Sequence, residues 1–328
     1  MKTKTYGAGV AAGMAAGMAA RTAAGLAALA LAPVYAQWAS EPFIVTFLTR
    51  ALVFSLAALS LNLILGFAGL VSFGHALYLG LGAYGVGLLA HHGVDNGWIQ
   101  LLVTILACAL VGFVTGWVSL RTSGISFIMI TLAFAQMFYY LFVSLKAYGG
   151  DDGLSIASRS DFGLLSLGHA ATLYYVALAC VVGVLIWTSR MVRAPYGMVL
   201  QGCRMNETRM RALGYPTRRY KLSAYVLACV LAGVAGLLYA NLTGYASPAY
   251  LSWTVSGELI VMVVLGGMGT VAGPLIGTLA LLGCEEWLKS LTEHWPLILG
   301  PLIVLVVLLA RRGLLGLLGA TGEAEARA

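Results

Sequence analysis

Hydrophobic residues in this 328-residue chain run in unbroken blocks rather than alternating with polar ones. The blocks fall near residues 20–37, 45–65, 75–91, 98–120, 124–145, 170–189, 221–243, 257–267, 270–287 and 295–310. As a helix, an apolar stretch of about 18–20 residues crosses a bilayer core. The pattern therefore predicts an all-α integral membrane protein, a polytopic bundle of about ten (eight to ten) transmembrane helices. A membrane barrel would need period-two alternation, which is missing. The eighth and ninth blocks are short, and LGGMGTVAGPLIG separates them. A break rich in glycine at membrane depth is tolerated only where protein or a water-filled cavity satisfies the freed backbone.

A second glycine-dense region, GFAGLVSFGHALYLGLGAYG, covers residues 66–85. Small residues such as Gly66, Gly69, Gly74, Gly80, Gly82 and Gly85 allow close helix approach, and tight packing accounts for most of them. Two glycine-rich interruptions in opposite halves also fit a weak internal repeat flanking a path through the bundle. On that reading the candidate path residues are Asn62, Gly66, Ser72, Gly74, His75, Gln136, Gly266, Gly267 and Gly269.

Composition agrees with the pattern. Hydrophobic residues make up 60% of the chain and charged ones only 9%, against roughly 25% charged in soluble domains. Of the 19 Lys and Arg residues, eight lie between Arg190 and Lys221, where Glu207 is the one acid. With an even number of spans both termini share a side, and 14 basic residues fall on it. Arg50, Lys146, Arg159 and Lys289 fall opposite, and Arg21 lies inside or beside the first span. The positive-inside rule makes both termini cytoplasmic; Asp95, Asp151, Asp152, Asp161 and Glu293 then face outward. The net charge of +7 thus belongs to topology, and no separate basic domain suggests nucleic acid. Residues 1–18 read as a loose cytoplasmic extension, 19–312 as one transmembrane domain with a cytoplasmic loop at 190–221, and 313–328 as a polar cytoplasmic tail. The stretch ending APVYAQ resembles a signal peptide cleaved after Ala36, but its length and the interrupting Arg21 favour an uncleaved first helix.

Enzyme signatures are poor. There is no P-loop for ATP and no HExxH for a metal, so no catalytic residue, metal or cofactor is assigned to this chain. His91 and His92 sit at a predicted outer membrane edge, and Asp151 and Asp152 read as solvated acids in a glycine-rich turn. His75 reads first as a buried histidine hydrogen-bonded to backbone. Cys108, Cys180, Cys229 and Cys284 in spans and Cys203 in the basic loop lack metal-ligand spacing and read as small buried residues. Asn62 and Gln136 can be satisfied by hydrogen bonds between helices; Asn241 and Glu258 are further in-span polar residues. Glu285 and Glu286 mark the outer end of the ninth span, with Lys289 close by. In the basic loop, Gly197 to Leu213 can form one helix closed by Gly214 and followed by Pro216. Glu207 and Arg211 are spaced as an i,i+4 pair. Met198, Gly202, Met205, Met210 and Leu213 lie toward one side, and Arg204, Thr208 and Arg211 on another. Such a segment fits a partner's groove and an anionic lipid surface equally well.

Six stretches then occur in order: NLILGFAGLVSFGHALYLGLGAY (62–84), RTSGISFIMITLAFAQMFYYL (121–141), GGDDGL (149–154), RMNETRMRALG (204–214), RYKLSAYVLACVLAGVAGLLYA (219–240) and VVLGGMGTVAGPLIG (263–277). From about residue 44 to 310 the chain closely resembles the LivM-type permease subunits of branched-chain amino acid ABC importers. The resemblance implies a multi-pass protein of the bacterial inner membrane. It implies a pair of separate ATPase subunits that carry ATP and Mg, a second permease of LivH type, and an extracytoplasmic binding protein received by the 146–168 and 244–256 loops. RMNETRMRALG takes the place of the ATPase-docking segment, which makes Arg204, Asn206, Glu207, Ala212, Leu213 and Gly214 the expected coupling residues. Urea or short-chain amide importers share nearly all these motifs and form the alternative; a membrane enzyme using His75 or Asp151 and Asp152 is a remote one. Tyr148, where the family often has Thr, and the extension before residue 20 depart from the shared pattern.

Overall fold

The computed structural model describes residues 42–156, 158–163, 166–309 and 313–316, together with Gly25, Leu29, Ala30, Leu31 and Pro33. The N-terminal extension, most of the first predicted span and the tail beyond 316 lie outside the described residues. The helices are α1 (Pro42–Asn62), α2 (His75–His91), α3 (Gly97–Ser119), α4 (Ile125–Ser144), α5 (Ala170–Arg193), α6 (Pro195–Met205), α7 (Glu207–Ala212), α8 (Thr217–Thr243), α9 (Trp253–Gly266), α10 (Gly273–Leu291) and α11 (Trp295–Leu309). Among the described residues five helices are long and apolar enough to cross a membrane: Phe43–Phe67, Gly97–Ser119, Ile125–Ser144, Ala170–Arg193 and Thr217–Thr243. Trp253–Gly266 and Trp295–Val306 are shorter apolar helices.

The bundle is built around α1. Every residue from Ala51 to Ala68 is buried, and α1 packs against α5, α8, α9 and α10. A π-helical turn at Leu63–Phe67 extends α1, and the chain then leaves helix until α2 begins. Next to α1, α2 is clasped between α3 and α8. In hydrocarbon, helices associate through close contact rather than through water exclusion. At the α2–α8 crossing the contact is made by missing side chains. A Cβ on Gly82 would overlap the Gly233 carbonyl, and one on Gly236 would overlap the Leu79 carbonyl. By contrast, α3 and α4 turn large apolar side chains outward, including Leu106, Leu110, Met129 and Met137.

At the end remote from the basic segment, β1 (Leu154–Ser155) pairs antiparallel with β2 (Tyr245–Ala246), with Leu154 opposite Ala246. This joins the two outer loops expected to act together. A buried polar chain anchors them: Ser160 donates its backbone N–H to Asn241 Oδ1 at 2.9 Å and its hydroxyl to Gln100 Oε1. Gln100 in turn donates to the Val94 carbonyl at 2.9 Å. Asn241, an expected in-span polar residue, is thus satisfied by a loop backbone.

Several boundaries differ from the sequence reading. The helix of the ninth block runs past its expected end, with α10 having 19 residues and reaching Leu291, though it is not among the five helices long and apolar enough to cross a membrane. Glu285 does not end it, because Lys289 Nζ pairs with its carboxylate at 2.6 Å one turn on, so the acid is carried within the helix. The seventh span starts at Thr217 rather than 221, and the eighth at Trp253, where the Ser252 hydroxyl accepts from Thr254 N. The predicted polar tail begins later than 313, since Gly313 to Gly316 are helical and Gly313 lies against Gly267.

Gly236→Val should lower the thermal unfolding midpoint of the detergent-solubilised protein, since overpacking a tight crossing costs about 1–3 kcal/mol or more. Gly183→Val, where an added Cβ meets nothing within 4 Å, should leave it unchanged. Equal midpoints for both variants would refute the crossing as described.

Candidate coupling site

α5 ends at Arg193, and Ala194 in extended conformation turns the chain directly into α6, with Pro195 in its first turn, where its missing N–H costs nothing. α6 folds back onto the bundle. Gln201 Nε2 donates to the Val192 carbonyl at 3.2 Å, Tyr196 Oη bonds Ser223 Oγ at 2.7 Å, and Val199, Leu200 and Cys203 are buried. Burial pushes the Cys203 thiol above its ordinary pKa, so it is an inert packing group.

The single helix expected over Gly197–Leu213 is in fact two. Asn206 is extended (φ −158°, ψ 99°), ends α6 and caps α7 by accepting from Arg209 N at 2.9 Å. The signal was legible: Asn is a favoured N-cap, followed here by an acid in the first turn. The apolar stripe obscured it. Gly202 lacks a side chain, and Met210 of α7 packs over it, 2.8 Å from where a Cβ would sit. Met205 and Leu213, grouped with them from the pattern, are left 88% and 66% exposed. Leu213 lies in an exposed run from Arg211 to Pro216, and Met205 at the exposed end of α6.

Glu207 fastens α7 to α8. Its carboxylate takes Arg211 Nη2 at 2.5 Å, Lys221 Nζ at 2.5 Å and the Thr217 hydroxyl at 3.2 Å. The predicted pair with Arg211 is present, and Lys221 and Thr217 complete it. Burial raises this carboxyl's pKa, but the hydrogen bonds and charges of Lys221 and Arg211 outweigh it and hold the group below its ordinary value. Gly214 follows with φ 86°, and Tyr215 N closes back on the Met210 carbonyl at 3.2 Å, as expected of a left-handed C-terminal cap.

Arg204, placed by the pattern on a polar face with Thr208 and Arg211, is exposed as expected, but its guanidinium reaches back to the bundle. Its Nη1 donates to the Gly66 carbonyl in the π turn, and its stem lies on Gly69 (φ 71°), where a Cβ would be 2.9 Å from Arg204 Cγ. On Gly269 (φ 77°) a Cβ would be 2.9 Å from Arg204 Nη1. Asn62 joins the two breaks directly: Oδ1 accepts from Gly269 N at 3.0 Å, and Nδ2 donates to the Thr270 carbonyl at 2.8 Å. One side chain from α1 and one from α6 thus meet both glycine breaks.

The remaining candidates divide. Ser72 accepts from Gly74 N at 3.3 Å, Phe73 N donates to Thr131 Oγ1 at 3.3 Å, and Gly74 lies against the Thr131 backbone. His75 bonds Ser60 Oγ through Nε2 at 2.8 Å, rather than backbone. Since the Ser60 hydroxyl donates to Ala57 O, Nε2 is assigned the proton; Nδ1 is buried with no hydrogen bond among the described residues. Ala76 N donates to Ser256 Oγ at 2.9 Å. Gly266 packs face to face with Gly273 and Gly277, and Gly267 against Gly313, so both serve packing. Gln136 is half-buried on α4 and joins neither break. Thr131 and Thr270 lie in two of the six stretches but nothing local marked them out, and Ser60 and Ser256 lie outside all six; the partners of Thr131, Ser256 and Thr270 are far away in the chain. A cavity of about 440 Å³ opens where Gly69–Val71, the Leu120–Gly124 turn, and Glu207, Arg211, Arg218 and Lys221 meet.

Because the Glu207 pKa is depressed on folding, its contribution is complete above the unfolded value of about 4.3 and is lost as pH falls through the lower folded value. Amide protection over residues 207–214, taken relative to the intrinsic exchange rate at each pH, should hold from neutral pH through the ordinary carboxylate range and fall only below it. Glu207→Gln should be poorly protected throughout. Matching profiles for the two proteins would show that the ion cluster does not hold α7.

A family profile described as "Branched-chain amino acid transport system / permease component" matches residues 43–310. The chain is 29% identical over 291 residues to the high-affinity branched-chain amino acid transport system permease protein LivM of Escherichia coli, covering 81% of this chain and 68% of that protein. To the corresponding LivH of Escherichia coli it is 24% identical over 292 residues, 82% of this chain and 92% of that one. To the probable branched-chain amino acid transport permease protein LivM of Methanocaldococcus jannaschii it is 25% identical over 268 residues, covering 69% and 76%. No solved structure matches. The match spans both glycine breaks, the α6–α7 segment and the helices that join them, and the chain belongs to the permease component family of branched-chain amino acid transport systems.

Proposed function

We propose that this chain is a permease subunit of an ATP-driven importer that carries branched-chain amino acids, delivered by an extracytoplasmic binding protein, across a bacterial inner membrane. In this reading the basic end faces the cytoplasm, as the charge asymmetry requires. Two separate ATPase subunits hold ATP and Mg and dock on the α6–α7 segment through the exposed Met205, Ala212, Leu213 and Gly214. A second permease of LivH type completes the membrane unit; the LivM and LivH names of the relatives support the pairing. The binding protein meets the paired loops around β1 and β2.

The junction at Arg204 carries the proposal. The residue lies on the last turn of α6, beside the exposed Met205, donates to the Gly66 carbonyl in the first break and lies next to Gly269 in the second. Displacement of α6 by an ATPase would pull on the π turn at Gly66 and, through Asn62, on Gly269 and Thr270. Glu207 makes α7 move with α8 rather than bend independently. The chemistry left to this subunit is mechanical: it changes which backbone contacts hold the broken helices.

The tagged chain should co-purify with an ATPase and a second permease, with ATP hydrolysis rising when loaded binding protein is added. Gly214→Val forces a branched side chain to φ 86°, a cost of roughly 1–2 kcal/mol. It and Glu207→Ala should each reduce ATPase recovery several-fold while the chain still inserts. A chain that transports alone, or undiminished ATPase recovery with both variants, would defeat the proposal.

A further inference from the structure

The basic end holds a second arrangement that docking of an ATPase does not use. Trp117, on the last turn of α3, is 45% exposed and continues an outward apolar strip through Leu106, Leu110, Phe113 and Val114. The Arg218 guanidinium carbon lies 4.7 Å from the indole centroid, with Nη2 donating to the Trp117 carbonyl at 2.9 Å. Arg121 stands over the same ring at 5.9 Å. Beside it a recess of about 340 Å³ has Trp117 and Leu222 as its apolar wall and Arg211, Arg218, Arg219 and Tyr215 around the rest. The acid of this segment, Glu207, is already engaged by Arg211 and Lys221, so the recess keeps an excess of positive charge.

We propose that this recess binds the phosphate headgroup of an anionic glycerophospholipid, with its acyl chains lying along the outward strip of α3. An indole at the membrane edge marks the interfacial depth. Guanidiniums stacked face-on to an aromatic ring leave their N–H edges for a phosphate. The apolar strip beginning at Trp117 offers acyl chains a continuous path, which a free anion does not need and an acidic protein surface could not occupy inside the bilayer. Arg211 lines the recess and also holds Glu207, so an occupied site braces α7 against α8. The proposal depends on the family assignment only for a bilayer lying against α3; lipid binding is read without transport.

The full chain, purified with whatever subunits accompany it, would be titrated with dioleoylphosphatidylglycerol or dioleoylphosphatidylcholine and lipid retention read by native mass spectrometry. The wild type should retain phosphatidylglycerol selectively. R218Q/R219Q should weaken retention by about tenfold or more, because each basic residue near an anionic lipid contributes of the order of fivefold. Arg159→Gln with Lys289→Gln, the same charge change at the other end, should have no effect. Trp117→Leu, with the charges intact, should weaken it too and serves alone if the double variant fails to fold. Equal retention of the two lipids, or equal losses in the control pair, would overturn the site. Displacement of the lipid by millimolar inorganic phosphate would reassign it to a free anion. Unchanged lipid retention with loss of a co-purifying subunit would reassign it to a protein contact.

Discussion

Two glycine breaks that meet at the basic end of the bundle create the constraint on which this fold depends: every buried backbone N–H and C=O freed at a break must find a partner. The solution is economical. Asn62 gives one acceptor and one donor to the second break, and Arg204 gives a donor to the first. Asn62 is buried and would be costly unpaired, and the backbone groups it meets would be costly without it. The two breaks are therefore not independently stable features. They are one junction, closed by a side chain from the buried hub helix and another from the basic segment.

A junction of this kind has few intermediate positions. Gly66, Gly69 and Gly269 bring backbone and side chain so close that an added methyl would collide with Arg204, Asn62 or the facing glycine. Such contacts are made or broken rather than stretched, because packed interiors have discrete arrangements. In the proposed function that property is useful: a push on α6 is transmitted to both breaks at once. The Glu207 cluster stiffens the lever, and the cavity between Gly69–Val71 and the Leu120–Gly124 turn leaves room for it to travel.

Much of this was legible in the sequence because the membrane makes it so. Long apolar blocks placed α1, α3, α4, α5 and α8, and the lone acid among arginines pointed to Glu207. The glycine breaks were visible, but their meeting was not: Asn62 and Thr270 are far apart in sequence, and no periodicity joins them. The reach of Arg204 was hidden for a related reason: the pattern puts it on an exposed face, where it is, but its guanidinium extends to Gly66, far away in sequence. The end of the α10 helix was set too early because Glu285 and Glu286 were taken to end it, whereas an i,i+4 pair with Lys289 carries Glu285 within the helix.

Arg204 links the basic α6–α7 segment to the glycine breaks. The most direct test of that link is ATP hydrolysed per amino acid taken up, measured in proteoliposomes with the complete importer carrying Arg204→Gln. Losing a charged hydrogen bond to backbone costs about 1.5–3 kcal/mol, so uptake should fall by roughly tenfold or more while ATPase recovery and hydrolysis persist. An unchanged ratio, with uptake and hydrolysis both normal, would contradict the account.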